Sequence, residues 1–252
     1  IDYNSEFDKN ARKLISSLYL SNKKNNIYMF PESLIENIFS LTENEKRLSI
    51  SLGIILNNEG SVRFYEIVQS LIKPNYRLSY SEADELIDYA PKEEQDLIII
   101  SEILKKRNNW RKKSGAIEII ESYGKIIVND NIPIVKVIDP TLSRLLISEA
   151  MILYGDLISD YTQRNKIPVP YRVQEKIGNL TKYNNSIDNR ILFNFELKKS
   201  MGKTYYSSSP SRHNSLGLNS YLHATSPIRR YSDLLVNYQL TRFLNNKNLI
   251  SK

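Results

Sequence analysis

The 252 residues contain no cysteine, which removes disulfides, thiol nucleophiles and cysteine-based zinc sites together and fits a reducing, cytoplasmic setting. Histidine is nearly as scarce. His213 and His223 stand alone, outside any HExxH context, so internal hydrogen bonding rather than zinc ligation is their expected role. Long apolar runs are missing too: stretches such as Leu97 to Ile100 or Leu145 to Ile147 are short and flanked by charge, far below the roughly 18 residues a membrane span needs. The amino terminus, IDYNSEFDKNARK, has neither the apolar core of a signal peptide nor the acid-poor look of a transit peptide, and it does not start with methionine. A piece of a longer protein is the expected reading. No GxSxG, P-loop or GxGxxG occurs, so serine hydrolases, P-loop nucleotidases and dinucleotide enzymes lose their usual marks.

What is present describes a globular protein: 41% hydrophobic and 25% charged residues, enough for a sizeable core. The net charge of +7 suits a polyanionic partner without requiring one. Apolar spacing predicts a helix over 6–18 that leaves Tyr19 at the edge of a loop, a hairpin over RLSISLGIIL and SVRFYEIV closed by Gly60, and a short helix capped by Ser81 just after Tyr80. An amphipathic helix over 93–113 ends in a basic run around Trp110, read either as cations dressing a helix end or as a phosphate-contacting patch. Short strands are expected at 116–120, 125–128 and 133–138, a long helix at 140–161, and another helix at 186–201 before a polar loop, YYSSSPSRHNS. With no repeat and no interior linker, one mixed domain is expected over 1–252.

The most telling segment is YLHATSPIRRYSDL. Ser226 suits an N-cap and Pro227 the first helical position, with Ile228, Tyr231, Leu235 and Tyr238 at helical spacing. Arg229 and Arg230 would then sit in the first turn, where the helix dipole disfavours cations by about 0.3–1 kcal/mol each. A docked phosphate reverses that sign. Arg229 and Asp233, four apart, could pair, and the SLGL turn at Gly217 can bring backbone close to a ligand. Asp2, Glu6 and Asp8 invite a Mg²⁺ reading, but their spacing puts Asp2 and Asp8 on different faces and nothing downstream completes a cluster, so no metal ligand is assigned in this chain.

The stretch HNSLGLNSYLHATSPIRRYSDLLVNYQL resembles the signature of the ribonuclease II / ribonuclease R catalytic domain, the RNB domain. ARKLISSLYL followed by NIYMFP, SLTENEKRLSISLGIILNNEG, RLSY and SRLLISEAM extend the likeness over essentially the whole chain. The resemblance implies an α+β domain, a curved and mainly antiparallel sheet surrounded by helices, present here without its amino-terminal metal-binding part and without the flanking cold-shock-like (OB) and S1-type domains. It implies a monomeric, Mg²⁺-dependent, processive 3′-to-5′ exoribonuclease that converts single-stranded RNA to nucleoside 5′-monophosphates, the Mg²⁺ ligands lying upstream of this chain.

Carried over, Arg229 matches the catalytic arginine, Tyr19 the aromatic clamp on the terminal nucleotide and Tyr80 a tyrosine contacting RNA. Glu149 matches one of two consecutive glutamates of the central helix, while Arg230, as a weaker backbone contact, and Ser226 are expected to bind RNA and Asp233 is expected to orient Arg229. The chain departs from the family pattern at Ser148, where the other glutamate stands, at Ile119, where some members have an aromatic residue, and at Asn237, where a histidine is common. Those departures leave a degenerate RNA-binding module as the alternative, and a protein-interaction domain without RNA affinity as a further one.

Overall fold

A computed structural model of the chain describes residues 1–22, 25–129, 132–175 and 190–250. Its spine is α5 (Leu142–Arg164), whose residues Leu153, Leu157 and Ile158 are buried. Around it run α1 (Glu6–Leu14), α2 (Glu32–Leu34) continued as a π-helical turn, α3 (Tyr80–Tyr89), α4 (Gln95–Lys113), α6 (Arg190–Ser200) and α7 (Tyr231–Leu244). The antiparallel pairing takes the form of three two-stranded ladders among the described residues: β1 (Arg47–Leu56) with β2 (Val62–Ile72), β3 (Tyr123–Asn129) with β4 (Ile132–Ile138), and β5 (Tyr171–Gln174) with β6 (Thr204–Ser207). The class is α+β.

Two apolar clusters hold these pieces. The larger joins Ile67 of β2, Ile158 of α5, Tyr171 and Val173 of β5, Leu222, and Val236 and Leu240 of α7. A smaller one packs Ala11 of α1 and Leu234 of α7 around Met29 and Phe30. Gly155 lets the 221–222 segment cross α5, since a Cβ there would lie 2.4 Å from the Leu222 carbonyl oxygen. The β1–β2 turn closes at Gly60 with φ +88°, a conformation glycine adopts freely, and Arg107 donates back to the Gly60 carbonyl.

Three expectations are corrected. Residues 116–120 form no strand: Ile117 donates to the Ser215 carbonyl, but no ladder follows, because the segment lies against the 214–217 turn rather than a strand. The start of the stretch read as a polar loop, 205–207, belongs instead to the strand Thr204–Ser207, its hydroxyls and rings carried on the backbone that pairs with β5. The cap of α3 is Ser79, not Ser81. Ser79 accepts from the Glu82 N–H while the Glu82 carboxylate takes the Ser79 N–H, which makes Tyr80 the first helical residue. The start expected for α6, 186–189, lies outside the described residues.

Candidate active site

The arginine pair sits in a turn ahead of α7, not inside it. Arg229 and Arg230 both donate their N–H groups to the Ser226 carbonyl, and the helix begins at Tyr231 with Arg230 at the extended cap position. Asp233 is the reason. Its fully buried carboxylate accepts from the Ser226 N–H at 2.8 Å, from Arg230 Nε and Nη2 at 2.9 and 2.7 Å, and from Ser232 Oγ at 3.1 Å. A carboxylate in the first turn suits the helix dipole and gives the Ser226 N–H an acceptor. The expected Arg229–Asp233 pair is therefore replaced by a bidentate Arg230–Asp233 pair. Arg229 is exposed, and its guanidinium has no hydrogen bond or ion pair among the described residues.

The Tyr19 segment is fastened to this turn by backbone. α1 stops at Leu14, four residues before the spacing of apolar residues ends, because Ile15 takes φ +64° and ψ −43° and Ser16 donates to the Leu14 carbonyl at 2.7 Å, a γ-turn of the positive-φ kind. The chain then runs antiparallel to the arginine turn: Tyr231 donates to Ile15 at 2.7 Å and Ser17 to Arg229 at 2.9 Å. Beyond it, Leu18 and Ile27 exchange backbone hydrogen bonds, and Tyr19, 59% exposed, meets Tyr28 edge-on with ring centroids 6.1 Å apart. Asn26 steadies the bend by donating to the Tyr28 hydroxyl and accepting from the Leu20 N–H. Tyr19, Ser226, Arg229 and Arg230 thus share one frame.

The amino-terminal carboxylates do not form a metal centre. Asp8 is fully buried and occupied by the Asn4 N–H, by Arg12 at 2.8 Å and by the Tyr231 hydroxyl at 3.1 Å, which ties α1 to α7. Arg12, held by Tyr231 and Asp8, has its pKa raised above the ordinary guanidinium value. Among the described residues, no three histidine, aspartate or glutamate side chains converge as metal ligands, so this donor set does not fit Mg²⁺.

Tyr80 and Glu149 belong to a second region, along α5. Tyr80 is 41% exposed, with the Arg144 guanidinium 4.1 Å from its ring centroid and Ser143 donating to its carbonyl. Glu149 is only 1% exposed; Arg111 Nε and Nη2 donate to it at 3.0 and 2.7 Å and Asn108 at 3.1 Å. Nothing of that carboxylate is open to a ligand. Arg111 also donates to the Leu216 carbonyl at 3.0 Å, so the pair props the turn that ends at Gly217. No hydrogen bond or ring contact among the described residues links Tyr80 or Glu149 to the Tyr19–Arg229 frame.

Residues 1–246 match the family described as the RNB domain. The chain belongs to it. Among relatives, the RNB domain here is 36% identical over 249 residues to a Synechocystis protein described as an uncharacterized ribonuclease, covering 98% of this chain and 37% of that protein. It is 30% identical over 247 residues to the chloroplastic/mitochondrial ribonuclease II of Arabidopsis thaliana, covering 95% of this chain and 30% of that one. A solved structure of Mycoplasma genitalium RNase R in complex with ribose methylated single-stranded RNA superposes with a TM-score of 0.84 at 25% identity, over 97% of this chain and 44% of that one. The chain spans less than half the length of each.

Several features of this RNB domain escaped sequence reasoning. Two of the six cations in the basic run near Trp110 are internal: Arg107 pairs with Asp156 at 2.7 Å and stacks on Trp110, and Arg111 pairs with Glu149. Burial lifts Asp156 to about 6 despite Arg107 beside it. The available signal was spacing, since Arg107 and Arg111 lie four apart on α4 while Glu149 and Asp156 lie seven apart on α5, one face each. Asn237, where a histidine was the commoner residue, donates to the Ala224 and Asp233 carbonyls and pins the arginine turn to α7. Tyr206 and Arg172, beside the same turn, had no sequence signal at all.

Proposed function

We propose that this chain is the RNA-handling part of a monomeric, cytoplasmic 3′-to-5′ exoribonuclease that shortens single-stranded RNA processively to nucleoside 5′-monophosphates. The observation that carries the reading is the division of labour in the arginine pair: Arg230 is consumed by Asp233, while Arg229 is left exposed and uncommitted on a turn whose backbone is hydrogen-bonded to the Tyr19 segment. The relation to ribonucleases, and to an RNase R solved with single-stranded RNA, supports RNA as the ligand.

In this reading Tyr19 stacks on the 3′-terminal base, worth about 1–3 kcal/mol and indifferent to sequence. Water attacks the last phosphodiester, the P–O3′ bond to the shortened strand breaks, and Arg229 donates to the non-bridging oxygens as charge gathers there, a contribution of roughly 3–4 kcal/mol for a donor so placed. Arg230 and Ser226 shape the turn and stand at the phosphate's edge. Tyr80 contacts the strand through its exposed ring, and Glu149 acts at one remove by holding Arg111. The Mg²⁺ that the resemblance implies would supply charge neutralisation at phosphate, but the described residues do not fit it and no step above is routed through it. The 252 residues by themselves are therefore expected to bind RNA without cutting it.

Filter binding of a 3′-ended oligoribonucleotide at several salt concentrations tests this. Affinity should fall with salt, at a logarithmic slope near −0.7 per phosphate contacted, and Tyr19→Leu should weaken it several-fold. In an active protein carrying this chain, Arg229→Ala should leave binding nearly intact and slow turnover by about two orders of magnitude or more. Salt-independent or absent binding would remove the RNA reading, and Mg²⁺-dependent release of nucleoside monophosphates by these 252 residues would remove the claim of inactivity.

A further inference from the structure

The β5–β6 ladder presents an aromatic side chain that none of the roles above uses. Tyr206 is 47% exposed, yet its hydroxyl is held 3.0 Å from Ser232 Oγ and 3.2 Å from His223 Nδ1. The His223 ring meets it edge-on at 6.2 Å, and the guanidinium of Arg172, from the neighbouring strand, lies 4.9 Å from its centroid while bonding Thr204 Oγ1. Ser232 passes the connection on to Asp233, the carboxylate that closes the Arg229 turn. A tyrosine that only filled the core would be buried, and one that only met solvent would not need two hydrogen bonds. This ring is half open and fixed in orientation with respect to Arg229.

The surrounding charge has one sign. The Asp233 carboxylate beside the ring is taken up by the bidentate Arg230 pair, while Arg172 stands over the ring. His213 and His223 are pushed down to about 4, first by burial and then by cations, Arg172 acting on both and Arg230 on His223, so both are neutral near pH 7. Among the described residues, Arg172 has no carboxylate partner. A locked, half-exposed ring beside an uncompensated cation is the combination that holds a single-stranded nucleotide: a π face for the base and a cation for the phosphate.

We propose that Tyr206 and Arg172 form a further nucleotide subsite, distinct from Tyr19 and Tyr80, in which the ring stacks on a base of the strand and the guanidinium takes the adjoining phosphate. The subsite rests on the reading of the chain as RNA-binding. Its test is fluorescence anisotropy of a labelled oligoadenylate with the 252-residue protein in EDTA, across a salt series. Tyr206→Leu should weaken binding on the order of ten-fold. Tyr206→Phe, which keeps the ring and loses only the hydroxyl anchors, should stay within about three-fold. Arg172→Gln should lower the salt slope by about 0.7, one phosphate contact. Should Tyr206→Leu fail to fold by circular dichroism, the Arg172 slope carries the test, since that side chain is only partly buried. Wild-type affinity and slope in both variants, with Tyr19→Leu still impaired, would overturn the subsite alone. Absence of any salt-dependent binding by the unaltered protein would overturn the RNA reading and the subsite with it.

Discussion

Removing the Glu149 carboxylate should cost the RNB domain about 3–5 kcal/mol, because the change strands a buried cation. Arg111 is itself buried, and apart from the Leu216 carbonyl its guanidinium is satisfied wholly by Glu149. Asn108 loses its carboxylate acceptor at the same time. Truncating one member of such a pair typically costs 3–5 kcal/mol, whereas replacing both by apolar residues of similar volume is near neutral or stabilising. Against a total stability of about 5–15 kcal/mol, Glu149→Ala alone approaches the unfolding threshold. The assay is urea unfolding followed by circular dichroism for the wild type, Glu149→Leu, Arg111→Met and the double variant. Each single change should be severe, the double change mild, and the interaction energy at least about 2 kcal/mol. Single variants within about 1 kcal/mol of wild type, or costs that simply add, would refute the argument that Glu149 is a buried strut.

The γ-turn at Ile15 holds a β-branched residue at positive φ, a strain of roughly 1–3 kcal/mol; Ile15→Gly relieves it at a chain-entropy cost of about 0.5–1 kcal/mol. With that side chain 67% exposed, a net gain of about 0.5–2 kcal/mol in chemical unfolding is expected, and none for Ile15→Ala. Gly217 also lies at positive φ, and a Cβ there would stand 2.7 Å from the Ala116 nitrogen, so Gly217→Ala should lower stability by about 2 kcal/mol or more in the same assay. Stability should also depend on acid: His213 and His223, held near 4 in the fold, contribute stability that is present above their unfolded value of 6.5 and lost as pH falls through 4. Asp156, raised to about 6, works the other way, its contribution present below its unfolded value and lost as pH rises through 6. The net is a slope near one proton, about 1.4 kcal/mol per pH unit between 6 and 4, readable from melting curves across that range.

The long elements were legible because each carries its own period. The apolar positions of α4 and α5, and the alternation over β1 and β2 with Gly60 between, are local patterns that the tertiary structure only had to accept. The boundaries and small strands were not, because distant groups decide them. Ser226 has every local mark of a cap, yet the Asp233 carboxylate reaches back to its N–H and moves the helix start to Tyr231. Tyr205, Tyr206 and Ser207 open a serine-rich stretch that reads as loop, and become strand because β5 lies beside them. In the site, motif likeness singled out Arg229 and Tyr19, and the structure puts them on paired backbone. Motif likeness did not show that Glu149 would be sealed inside by Arg111; only the matched spacing of cations on α4 and carboxylates on α5 pointed to it.

The join between residues 15–17 and 229–231 is made of peptide groups, and that has a genetic meaning. Ordinary substitutions exchange side chains and leave N–H and C=O untouched; only proline, at Ser17 or Tyr231, would delete one of the two donors. The separation between the Tyr19 ring and the Arg229 cation is thereby shielded from most point mutation, so the surrounding residues are free to drift while the ruler between the two stays the same length.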